Sequence, residues 1–191
     1  MKRYISFALA ALALAACQRT AEPETLPGKV QVEPVITKAT EVNFENGDKI
    51  GFTMAKVNGT ENYADNACLT FDGNVFSGDL MWYADAYSEA DVYAYYPYKE
   101  NGVPTAYFCV YDQTEGIGAA DFMAASKKGV LPTPNAITMV FKHMMTKIVV
   151  NIDNVSGATL ENVVLTGSAA SASLDIENQT VTAAAETADI K

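Results

Sequence analysis

Basic residues are scarce in this chain. Of its 191 residues, 13 are Lys or Arg against 23 Asp or Glu, a formal charge of −10. A nucleic-acid partner is excluded on that balance, because gripping phosphates takes a basic stripe that displaces counterions. Adhesion to anionic lipid is disfavoured for the same reason. Histidine occurs once, as His143, and cysteine three times, too few for a zinc-type cluster. There is no Gly-x-Ser-x-Gly elbow and no phosphate-cradling glycine loop. His143 falls on an apolar face beside Phe141 and Met145 and reads as a satisfied core residue rather than a general base. Asp85, Glu89 and Asp91 lie near one another, but in a loop, where solvated charge is the ordinary reading. Proximity alone supports an acid-catalysed hydrolase built on Asp85 and Asp91. No catalytic residue, cofactor or metal site is expected. Helix signals are few as well, and only Ala119 to Lys127, closed by Gly129, could hold a turn or two.

What is present begins with an export signal. Residues 1–16 carry Lys2 and Arg3, then an apolar run too short to span a bilayer, then small residues before Cys17. Leu14-Ala15-Ala16-Cys17 has the form of a lipobox, in which the cysteine thiol is acylated and becomes the first mature residue; the alternative is a plain signal peptide followed by a chance cysteine. Two or more acyl chains anchor stably where one holds only marginally. Residues 17–29 are polar and proline-bearing and read as a tether. That leaves Cys68 and Cys109, in a chain sent to an oxidising compartment. They could form a disulfide, or each could serve as a small buried hydrophobe in its strand-like stretch.

From residue 30 to 191 the pattern is one of short strands bounded by turn residues. With 49% hydrophobic and 19% charged residues, the chain can bury a core. Val30–Thr37 is a first strand, which Pro34 assigns to a sheet edge. Further strands fall at Lys49–Ala55, Asp91–Tyr96, Thr105–Tyr111, Ile137–Ile152, Thr159–Thr166, Ala172–Ile176 and Val181–Ala183. Asp72-Gly73-Asn74 joins Leu69–Phe71 to Val75–Phe76 as a hairpin. In Ile137–Ile152 the apolar phase reverses, so a bulge or break is predicted near Met145–Lys147. Many short strands at this spacing predict an all-β antiparallel sandwich. Aromatics crowd between Trp82 and Tyr98. Alternation along a strand turns some of them outward, so Trp82, Tyr83, Tyr93 and Tyr95 are candidate contact residues for a glycan or protein, although tyrosine also suits a half-buried β surface.

Several motifs occur together in one order: Phe44-Glu-Asn-Gly-Asp-Lys-Ile-Gly51, Asp91-Val-Tyr-Ala-Tyr-Tyr-Pro-Tyr98, Asp112-Gln113, Asp121-Phe-Met-Ala-Ala125 and Phe141-Lys-His-Met-Met-Thr-Lys-Ile148. In this respect the chain resembles the amino-terminal domain of fimbrillins, lipoprotein-derived pilus subunits of anaerobic gram-negative bacteria. The resemblance implies a transthyretin-like, Greek-key topology of about seven or more strands with little helix. It also implies a lipidated precursor at the outer membrane, exposed at the cell surface, whose first strand is removed by a protease. Another pilus subunit then fills the opened groove by β-strand addition. Here Val30–Thr37 would be the displaceable strand, and Lys38-Ala39 stands where family members commonly carry an arginine. The resemblance further implies a second, carboxy-terminal domain, which the sequence as read to Lys191 does not contain. The alternative is a lipid-anchored surface module that binds a host or bacterial glycan or protein and does not polymerise.

Overall fold

The computed structural model describes residues 28–37, 43–114 and 116–191. Cys17, Lys38 and Ala39 lie outside them. The described residues are all-β, with one short 3₁₀ turn at Gly118–Ala120 and no α-helix. The strands are β1 (Lys29–Ile36), β2 (Lys49–Lys56), β3 (Asn62–Phe71), β4 (Phe76–Met81), β5 (Ala90–Tyr96), β6 (Ala106–Phe108), β7 (Met123–Val130), β8 (Ile137–His143), β9 (Leu165–Ala169), β10 (Ser171–Asp175), β11 (Thr180–Ala183) and β12 (Thr187–Ile190).

Seven of them close into a barrel in the order β1-β4-β3-β2-β5-β7-β8, beside a three-stranded sheet β11-β10-β6 and a pair β12-β9. The all-β expectation holds, while in place of the expected antiparallel Greek-key sandwich the main sheet is closed and flanked by two small sheets. One joint of the barrel is also not antiparallel: β1 runs parallel to β8, Val32 to Ile36 facing Ile137 to Phe141. Closure has a physical logic, since joining β8 to β1 leaves no unpaired edge on that sheet.

Alternation decides which residues enter the barrel. Val92 and Ala94 on β5 and Met123 and Ala125 on β7 join Val30, Val32, Ile50, Phe52, Phe76 and Phe141 in the interior. The opposite phase of β5 and β7, Tyr95 and Ala124, packs outside the barrel with Phe122, Leu174 and Ile176. The three-stranded sheet thus forms a second layer over the β5–β7 wall. Gln179 ties the layers, its Nε2 donating to the Ala124 carbonyl at 2.9 Å.

Two local expectations fail for identifiable reasons. The helical turn expected from Ala119 to Lys127 is mostly β7. Its Ala124 and Ala125 are fully buried between two layers, and the pairing with β5 and β8 overrides their helix preference. Pro34 does not mark an edge strand either. β1 pairs with β4 only as far as Val32–Phe76, so Pro34 sits beyond that ladder, flanked by β8 alone, where a missing N–H is tolerated. The Asp72-Gly73-Asn74 hairpin is as expected: Gly73 takes φ +101°, and Asp72 Oδ1 accepts from the N–H groups of Asn74 and Val75, both at 2.9 Å.

Candidate functional site

The feature of the fold most able to do something is the slot that β1 occupies. β1 is the first described strand in sequence, yet it is the stave that closes the barrel between β4 and β8. Val30 and Val32 are fully buried against the interior, while Val35 is 42% exposed. Burying a valine side chain is worth about 1.5 kcal/mol or somewhat more, so these two residues hold β1 by roughly 3–5 kcal/mol. Main-chain bonds pin its ends. The Trp82 N–H donates to the Gly28 carbonyl at 3.3 Å, and the Thr37 N–H to the Phe141 carbonyl at 3.2 Å. The polar ties are few and at the surface: Lys29 meets Asp79 at 3.1 Å, and the Thr138 hydroxyl donates to Glu33 at 3.3 Å. Exposed pairs of this kind add little. Beneath the slot, Phe44 packs edge-on against Phe76 and Phe141, with centroids 4.9 and 5.1 Å away. If β1 leaves, β4 and β8 both present an unpaired ladder over an aromatic floor.

The expected contact aromatics are distributed differently. Trp82 and Tyr95 are 6% and 1% exposed and belong to the two cores. Tyr95 donates to Asn66 Oδ1 at 2.6 Å and accepts the Lys99 N–H at 3.2 Å. Tyr93 points outward from the barrel but lies half-buried among the residues packed under the second layer, and burial raises its pKa. Tyr83 stacks on Tyr63, centroids 3.7 Å apart, and Lys56 Nζ lies 5.3 Å from the Tyr63 ring centre. Burial, helped by neighbouring Tyr63 and Asp85, pushes Tyr83 up to about 12. Tyr63, Tyr83 and Tyr93 are each only partly exposed. Among the described residues the exposed aromatics are Tyr87, Phe108 and Tyr111, which alternation could not single out because Tyr87 sits in a loop and the other two near a sheet end.

The remaining candidates have structural partners. His143 Nδ1 is 2.8 Å from Asp121 Oδ1, both side chains largely buried, and the pair clips the start of β7 to the end of β8. Asp85 accepts the Ser88 hydroxyl and the Tyr87 N–H at 2.5 and 2.9 Å. Those bonds hold its carboxyl below the usual range. Asp91 accepts the Gly129 N–H at 3.0 Å and lies 3.5 Å from Lys128 Nζ. The two aspartates serve separate turns. Cys68, exposed on β3, and Cys109, half-buried after β6, are both free thiols.

Comparison with known proteins follows the same lines. A family model described as fimbrillin-like matches residues 37–191. A second, described as a prokaryotic membrane lipoprotein lipid attachment site, matches residues 1–18 and so includes Cys17. No curated protein matches the chain. Among solved structures, a candidate cell adhesion protein from Bacteroides ovatus is similar in fold, with TM-score 0.65 and 21% identity over 85% of this chain and 70% of that one.

Proposed function

Because the chain belongs to the fimbrillin-like family, we propose that it is a structural or adhesive subunit of a cell-surface pilus, not an enzyme. In this reading it is exported as a lipoprotein acylated at Cys17 and carried to the outer membrane. It is then assembled by strand replacement after removal of its first strand. The observation that carries the reading is the position of β1. It is first in the described chain and joins β4 to β8 in the closed barrel. Besides its ladders to β4 and β8 it is held by two buried valines and a few surface contacts, and Lys38-Ala39 follows after Thr37 in sequence. Its loss leaves a groove flanked by two ladders, which another subunit's extended segment fills by β-strand addition.

Trp82 supplies the test. It is the sole tryptophan, it is buried, and its main-chain N–H donates to the carbonyl of Gly28, the residue just before β1. Limited digestion of the folded protein with a lysine-specific protease is expected to give a species beginning at Ala39. Its Trp82 emission shifts to the red, and it self-associates. Added peptide Lys29–Thr37 restores the blue emission and suppresses association. A folded chain that resists cutting after Lys38, or a cut chain that stays monomeric with unchanged emission, overturns the reading.

A further inference from the structure

The chain holds three Asn-Gly pairs: Asn46-Gly47, Asn58-Gly59 and Asn101-Gly102. Asparagine is a thermolabile residue, and before glycine it is most open to attack by the next main-chain nitrogen, because glycine has no side chain to hinder the approach. All three asparagines are exposed, so accessibility does not separate them. Hydrogen bonding does. The Gly47 N–H donates to the Phe71 carbonyl at 2.9 Å, and the Gly59 N–H to the Lys56 carbonyl at 3.1 Å. A bonded amide must open before its nitrogen can react, which slows the reaction by the cost of that opening. The Gly102 N–H has no acceptor among the described residues; Gly102 is engaged only through its carbonyl, 3.3 Å from the Tyr95 hydroxyl.

The surroundings make a change at this pair felt. Asn101 lies in the crossover from β5 in the barrel to β6 in the second layer. Before it, Lys99 is pinned twice: its N–H donates to the Tyr95 hydroxyl at 3.2 Å, and its carbonyl accepts from Asn66 Nδ2 at 2.9 Å. After it, the Thr105 carbonyl accepts the Leu174 N–H at 2.8 Å. Any lengthening of the main chain at Asn101 has to be taken up between these two anchors.

We propose that Asn101-Gly102 is a self-modification site, the Asn-Gly pair at which the folded protein deamidates first. The Gly102 nitrogen attacks Asn101 Cγ. A C–N bond forms, the nitrogen's proton passes to solvent, and the Cγ–Nδ2 bond breaks with release of ammonia. Water then opens the succinimide ring at either carbonyl and leaves aspartate or isoaspartate, with no change of oxidation state. Isoaspartate carries the main chain through Cγ and is one carbon longer. With Lys99 and Thr105 both held, the added carbon displaces the Gly102 carbonyl from Tyr95 and loosens the crossover. Nothing in this step involves β1, so it stands or falls separately from strand replacement.

The test ages the folded protein in mildly alkaline buffer, with a urea-unfolded sample beside it, and follows each pair by peptide mass. Tryptic cleavage after Lys49, Lys56 and Lys99 places the three pairs in separate peptides. In urea the three are expected to deamidate at similar rates. In the folded protein Asn101 keeps close to its unfolded rate, while Asn46 and Asn58 slow by about tenfold or more. As isoaspartate accumulates, the amides of Lys99 and Leu174 exchange faster than in fresh protein. Asn101→Gln, whose longer side chain closes a ring far more slowly, ages without that change. Folded-state deamidation at Asn46 or Asn58 as fast as at Asn101 overturns the proposal, as does an Asn101 slowed as much as the other two. Equal loosening in aged Asn101→Gln overturns the link from the modification to the crossover.

Discussion

Val32→Ala and Val35→Ala differ by three positions on one strand and should differ severalfold in cost. Val32 is fully buried between β4 and β8, whereas Val35 is 42% exposed. Truncating Val32 removes two carbons from the interior, about 1.6 kcal/mol of transfer free energy at ~0.8 kcal/mol each. The cavity adds roughly 1 kcal/mol, because a stave hydrogen-bonded on both flanks cannot move in to fill it. The total of about 2–3 kcal/mol corresponds to a fall in Tm of about 4–10 °C for a domain of this size. Val35→Ala should stay within about 0.5 kcal/mol. Urea unfolding followed by Trp82 emission measures both, and the m-value should not change. Equal losses, or a larger loss at Val35, would mean that the phase of β1 in the barrel is wrong, and with it the account of what holds the strand.

Other consequences are as specific. Gly51→Ala should destabilise by about 2 kcal/mol or more in thermal unfolding, since the added Cβ would lie 2.2 Å from Tyr95 Cε1 and 2.7 Å from Asn66 Oδ1. Tyr95→Phe should cost about 1–2 kcal/mol by stranding Asn66 Oδ1, and a loss below 0.5 kcal/mol would refute that bond's role. Tyr83 and Tyr96 are both raised to about 12, chiefly by burial. The folded state thus keeps protons the unfolded state releases near 10, and stability is full below pH 10 and lost as pH rises toward 12. Tyr96→Phe should flatten that decline, as read from denaturation midpoints across the alkaline range.

Much of the fold was legible because period-two alternation is a local property. The hairpin around Asp72-Gly73-Asn74, the strand that begins at Val30 and the outward turn of Tyr93 and Tyr95 from the barrel follow from neighbours in sequence. Legibility failed wherever a distant segment decided. Met123–Val130 has helix-tolerant alanines and lysines, yet two strands and a covering sheet make it β7. Tyr93 and Tyr95 do face outward from the barrel, but a second layer that lies some eighty residues on in sequence, β10 and β11, covers them. Ile148, Val150 and Val163 show the converse: their strand character is plain in sequence, but a ladder needs a partner, and none of the described residues supplies it.

The export signal, the lipobox at Cys17, the acidic surface and the all-β character were set by sequence alone, because each rests on local composition or on spacing between near neighbours. Closure of the sheet, the parallel joint between β1 and β8, and the burial of Trp82 and Tyr95 were decided only by tertiary structure. Those depend on which strands meet across a hundred residues of chain, and main-chain hydrogen bonds that can accept any partner carry no local record of the one they take.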